Sequence, residues 1–252
     1  MLSTAANLVY VALLVVVVPV VSAQNARILR RHPIPRRQLY LSALLSQWIL
    51  GLAGIGVAAL RYENFSSLGF RNLSPGLFFG VTGGLAMASL GALTVFVTLH
   101  VSGIWKQESE VVRQLLPESG KEKLAAILLL APTAALCEEF IYRGYLLRFL
   151  LEGTDSDSAA WLLSSVIFGL AHSYQGLSGV LRASLLGALL AFPVLHYGSL
   201  YPSMIVHFAI DAVALVWVGP RFWKSRSATE SSLAADSAKD AKLSTSDNPD
   251  PS

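Results

Sequence analysis

Long apolar runs separated by short arginine-rich or serine-rich connections set the organisation of this chain. They cover residues 8–23, about 39–60, 75–101, 124–151, a stretch beginning near 159, about 180–195 and about 200–218. Runs of this length and composition read as membrane helices, whose backbone polar groups are satisfied within the segment. The pattern predicts an all-α fold, a polytopic transmembrane bundle of about seven membrane helices. The third run carries Gly83, Gly84, Ala86, Ala88, Ser89, Gly91 and Ala92, small residues of the kind that let membrane helices approach closely. Residues 103–123 are polar and weakly amphipathic, which suits a linker on the membrane surface. Residues 152–158 read as an acidic, flexible loop. Beyond Ser225 the chain is rich in Ser, Ala, Asp and Lys without apolar periodicity, as in a disordered tail. The expected division is therefore 1–123, N-terminal membrane helices and linker; 124–224, a helical core; and 225–252, the tail.

Composition agrees with this reading. Of the 252 residues 54% are hydrophobic and 14% charged, with a mean hydropathy of +0.55, whereas soluble domains carry roughly 25% charged residues. The net charge of +3 comes from basic residues beside the apolar runs, as the positive-inside rule expects. The partners implied are a lipid bilayer and no nucleic acid. The first run ends in Val21-Ser22-Ala23, similar to a signal cleavage site. No positive charge precedes it, however, and Arg27, Arg30, Arg31, Arg36 and Arg37 follow. A retained helix is expected, with its N-terminus outside and the arginine loop in the cytoplasm. The expected location is an integral, multi-pass one, in a bacterial cytoplasmic membrane.

The chemistry concentrates in Leu136-Cys137-Glu138-Glu139-Phe140-Ile141-Tyr142-Arg143-Gly144. Ionisable side chains within a membrane segment cost several kcal/mol unless paired or hydrated, and mark pathways or active sites. At helical spacing Glu139 meets Arg143, one turn on. Glu138 lies roughly 100° round the axis without a local partner. Pro132, just upstream, predicts a kink that frees carbonyls near the site. Cys137 is the sole cysteine, so the chain has no internal disulfide, and an apolar setting makes a thiol inert. Further along, Phe168-Gly169-Leu170-Ala171-His172, Arg182, and His207-Phe208-Ala209-Ile210-Asp211 add ionisable groups from other apolar runs. Three helices each contributing acid–base groups favour a site over packing, because every buried charge needs a partner.

The string EEFIYRG resembles the EExxxR motif of the CAAX protease and bacteriocin-processing family of intramembrane endopeptidases, also called Rce1-like or Abi. Phe168 to His172 is similar to its second motif, FxxxH. The passage Tyr197 to His207 resembles the approach to its third motif, usually HxxxN or HxxxB. The resemblance covers residues 124–218, with a weaker likeness at Leu68-Gly69-Phe70-Arg71. It implies an intramembrane endopeptidase acting on a peptide or membrane-protein substrate, with water activated by Glu138 and assisted by His172. By the same resemblance His207 and Asp211 support the oxyanion, while Glu139, Arg143 and Phe168 shape the site. Asp211 stands where the family frequently has asparagine. Either it is held protonated, or it is ionised and accepts from His207 one turn away; the i, i+4 contact favours the second.

No cofactor is expected. Zinc held by two histidines and a carboxylate is the second choice of mechanism, since the chain has no HExxH helix. Gly176-Leu177-Ser178-Gly179 matches the GxSG of rhomboid-type serine proteases, but that reading leaves Glu138, Glu139 and Arg143 unexplained. The alternative function is non-catalytic, either a bacteriocin immunity or partner-binding protein or an ion-coupled transporter. Nothing in the sequence marks a prenyl-binding surface.

Overall fold

A computed structural model describes residues 2–62, 64–102 and 110–220. The expected tail lies outside the described residues. Among the described residues six helices are long and apolar enough to cross a membrane. They are α1 (Thr4–Arg31), α2 (Arg36–Arg61), α3 (Pro75–His100), α5 (Gly120–Gly153), α7, which is continuous with a short turn from Ser173 and runs as α-helix over Gly176–Tyr197, and α8 (Tyr201–Val218). The short α4 (Glu110–Leu115) precedes α5, and the 15-residue α6 (Asp157–Ala171) separates α5 from α7. The chain is an all-α, multi-pass membrane bundle. Of the seven runs read from the pattern, the fifth becomes α6, shorter than the spanning helices.

Local chemistry explains where these helices start. Ser119 caps α5 by accepting from the Glu122 amide, and the Glu122 carboxylate accepts in return from the Ser119 amide, a capping box. Ser156 accepts from the Ala159 amide at the start of α6. The acidic loop expected at 152–158 is shorter than anticipated, because α5 continues to Gly153 and Glu152 is bonded to Arg61 at 2.6 Å and Arg148 at 2.8 Å. Arg36, at the start of α2, reaches Glu118 at 2.8 Å and Glu122 at 3.2 Å. The N-terminal helices are thus pinned to the beginning of α5.

The core forms around α5. Tyr10, Leu14, Ala58, Phe140, Tyr145, Leu146, Phe168 and Leu200 meet there as one buried cluster. On α1, Tyr10 donates to the Leu50 carbonyl at 2.8 Å and packs edge-on to Tyr145, whose hydroxyl donates to Asn7. Cleavage after Ala23 would remove all of these contacts. The Leu68-Gly69-Phe70-Arg71 loop closes the far end: Leu200 donates its amide to the Gly69 carbonyl at 2.7 Å, and Phe70 bridges Ser199. Gly69 adopts φ +95°, and a Cβ there would lie 2.8 Å from Leu200 Cγ, so both conformation and space require glycine.

One expectation is corrected. The glycines of α3 do not mediate close helix contact: a Cβ built at Gly76, Gly80, Gly83, Gly84 or Gly91 meets nothing within 4 Å. Close approach instead occurs between α6 and α7, where a Cβ at Gly169 would lie 1.9 Å from Ser184 Oγ and 2.6 Å from the Val180 carbonyl. At Pro132 the helix departs from regular α-geometry, where the sequence predicts a kink. Proline lacks the amide that would bond to the preceding turn, and the helix answers with a π-helical turn at Ala126–Leu130 before resuming at Ala131.

Candidate active site

A second and longer π-helical segment, Glu139–Leu146, contains most of the charged string. Such segments arise where side-chain demands override regular helix bonding, and they recur at functional sites. All eight of its residues are buried. Within it Arg143 Nη1 donates to Glu139 Oε1 at 2.9 Å, the pair expected from the sequence. The guanidinium lies over the Phe168 ring, 3.9 Å from its centroid, a cation–π contact that supports a desolvated charge. Room for this stack comes from Gly187 on α7, where a Cβ would meet Phe168 at 3.1 Å and Arg143 Nη2 at 3.2 Å.

The third helix enters through α8. His207 Nδ1 lies 2.7 Å from the same Glu139 oxygen that Arg143 bonds. A carboxylate oxygen accepts, so Nδ1 carries the hydrogen. Glu139 therefore joins two positions of α5 to α8 at a point where its own exposure is 0% and that of Arg143 is 2%. Two donors on one buried carboxylate offset the desolvation it would otherwise suffer.

Glu138 faces a more open space. His172 and Glu138 are 16% and 15% exposed, and Asp211 is 32% exposed, so the constellation runs from a sealed floor at Glu139 to a mouth at Asp211. His172 Nδ1 lies 2.9 Å from the Phe168 carbonyl. That carbonyl can only accept, which puts the hydrogen on Nδ1 and leaves Nε2 of a neutral ring as a lone pair. His172 Nε2 stands 3.7 Å from Glu138 Oε2, and His207 Nε2 stands 3.9 Å from the same oxygen. Glu138 Oε2 is itself buried and has no hydrogen-bond partner among the described residues.

The structure thus brings Glu138, Glu139, Arg143, Phe168, His172, His207 and Asp211 together from α5, the end of α6, and α8. One detail differs from the sequence expectation, and a second adds to it. Asp211 Oδ2 lies 3.6 Å from His207 Nε2, beyond hydrogen-bond length, and the imidazole is bonded to Glu139 instead. Glu138 has no partner in its own helix but has a distant one. Gln47 Nε2, on α2, donates to its Oε1 at 2.7 Å. Gln47 was not singled out from the sequence, although an amide within an apolar run was the available signal. Arg182 Nη2 donates to Gln175 Oε1 at 3.0 Å. Cys137 is buried against α2, where a Cβ on Gly51 would lie 3.3 Å from its sulfur.

Part of the chain that carries these three motifs is similar to a known family. The match is Rce1-like. Residues 120–213 match the family model described as type II CAAX prenyl endopeptidase Rce1-like. No curated protein and no solved structure matches. The Rce1-like stretch contains every converging residue named from the sequence. Gln47 lies outside it.

Proposed function

We propose that this protein is an intramembrane endopeptidase in which Glu138 and His172 activate water for attack on a peptide bond. One observation carries the reading. Glu138 Oε2 and His172 Nε2 are two acceptors 3.7 Å apart, and Glu138 Oε2 has no hydrogen-bond donor among the described residues. A single water molecule lodged beside them donates one hydrogen to each, which orients its oxygen lone pair toward a substrate carbonyl.

The reaction follows from these positions. Glu138 takes a proton as the water oxygen bonds to the carbonyl carbon, and a tetrahedral oxyanion forms. His207, anchored through Nδ1 to Glu139, directs Nε2 into the same space. A doubly protonated ring donates from Nε2 to the oxyanion, and Asp211 at 3.6 Å favours that charge state. Collapse of the intermediate breaks the C–N bond. The proton held by Glu138 passes to the leaving amine, directly or through His172. Arg143 and Phe168 keep Glu139, and through it His207, in place.

A zinc-dependent variant requires at least three ligating side chains converging on one point. Glu138, His172 and His207 face one space, so sensitivity to a chelator is the measurement that separates this variant from the glutamate mechanism. No step above is routed through a metal. The substrate proposed is a peptide or a membrane-protein segment in the bilayer, without a requirement for a prenyl group, and the proposed setting is a bacterial cytoplasmic membrane. The test is capture. Full-length protein carrying Glu138→Gln is incubated with membrane extract in the presence of chelator, and peptides retained by it and released by the parent as two fragments identify the substrate. Equal retention by the parent, with no fragments, contradicts the proposal and favours a partner-binding role.

A further inference from the structure

Gln47 stands one transmembrane helix away from the Rce1-like stretch, yet it makes the shortest polar contact to Glu138. The contact is between Nε2 and Oε1 at 2.7 Å. The opposite amide orientation would set two acceptors against each other, so the NH₂ faces the carboxylate. Within its helix, Gln47 belongs to a face defined by Gly51, Gly54 and Ala58, spaced as i, i+4, i+7 and i+11. That face is packed tightly against α1 and α5. A Cβ on Gly51 would meet Cys137 Sγ at 3.3 Å, and one on Gly54 would meet Tyr10 Oη at 2.5 Å and Phe140 Cε1 at 3.2 Å. Ala58 is fully buried. Three small residues let α2 approach, and the fourth position of the same stripe delivers an amide to the carboxylate next to Cys137.

We infer that Gln47 is a positioning residue for the proposed hydrolysis, holding Glu138 by Oε1 so that Oε2 alone faces the two imidazoles. The inference rests on the reading of Glu138 as the water-activating base. Its physical content is a division of labour between the two carboxylate oxygens. Oε1 is engaged by a neutral donor that cannot take its proton, and Oε2 is left with no partner among the described residues. Without the amide, the carboxylate rotates about its last torsion, which is broad and roughly two-fold, and the base loses its alignment with His172.

The test uses the full chain in proteoliposomes and a library of internally quenched, membrane-embedded peptides as the probe. Gln47→Met keeps the side-chain length and removes the donor; it should lower kcat about 10- to 100-fold, the loss expected for one hydrogen bond to a charged group, with KM unchanged. Gln47→Glu keeps the size and donates only when it carries a proton shared with Glu138, so its activity should be confined to lower pH than the parent's. A merely structural amide moves neither readout. Parent-like kcat and pH profile in both variants overturns the inference while the Glu138 reading stands. Full activity in Glu138→Gln overturns that reading and the inference with it. Infrared spectra of ¹³C-glutamate protein supply a readout without turnover: Gln47→Met should shift a carboxylate band that Glu138→Gln abolishes, and an unshifted band contradicts the inference.

Discussion

His207 Nδ1 is hydrogen-bonded to Glu139 Oε1 at 2.7 Å, on the oxygen that also accepts from Arg143. The adjacent glutamates therefore have separate tasks. Glu139 is a sealed anchor between α5 and α8, and Glu138 faces the space where His172 and His207 converge.

Replacing the anchor should damage the fold. Glu139→Gln keeps the shape but leaves two buried donors without their counter-charge, and breaking one side of a buried pair costs about 3–5 kcal/mol. Thermal unfolding of the purified protein in detergent should show a clear loss of stability, accompanied by loss of activity. A variant as stable and as active as the parent contradicts the anchoring role.

Close packing of α6 on α7 should be felt at His172, which follows α6 directly. A methyl group at Gly169 enters the space of Ser184 and the Val180 carbonyl, and overpacking of this kind costs about 1–3 kcal/mol. Gly169→Ala should lower both stability and kcat. Gly83→Ala, where a Cβ meets nothing within 4 Å, serves as the control and should leave both unchanged. Equal behaviour of the two variants would show that the α6–α7 contact does not set the position of His172.

The parts of the site that were readable in the sequence are the local ones. Glu139 and Arg143 pair because one helical turn brings them together, and Phe168 and His172 share a turn for the same reason. Convergence of α5, α6 and α8 was legible only because each carried ionisable groups in an apolar run. Gln47 was not, since its partner is distant in the chain and a neutral amide costs too little in an apolar helix to stand out. The glycines of α3 suggested close packing by composition alone, whereas the tight contacts lie at Gly51, Gly54 and Gly169, where the facing residues decide. Nor does sequence spacing reveal that Glu139–Leu146 is π-helical, and the His207 bond to Glu139 in place of Asp211 depends on how α8 meets α5.

Other nucleophiles should be dispensable. Cys137 packs against Gly51, and Ser178 is buried in the first turn of α7. The Cys137→Ala and Ser178→Ala variants, single and combined, should retain peptide cleavage within a few-fold of the parent. Abolition of cleavage by either change, with the protein still folded, would transfer the chemistry to that residue.

The central claim is that Glu138 is the base. The direct measurement is the rate of peptide cleavage by the parent and by Glu138→Gln in proteoliposomes, with chelator present throughout and the folded amount matched by thermal unfolding. The amide keeps the size of the side chain and a bond to Gln47 but accepts no proton from water. General-base catalysis contributes about 10²- to 10⁴-fold, so the account predicts a loss of at least that size at unchanged stability. Cleavage by Glu138→Gln at the parental rate, or loss of parental activity on chelation with recovery on added zinc, would contradict it.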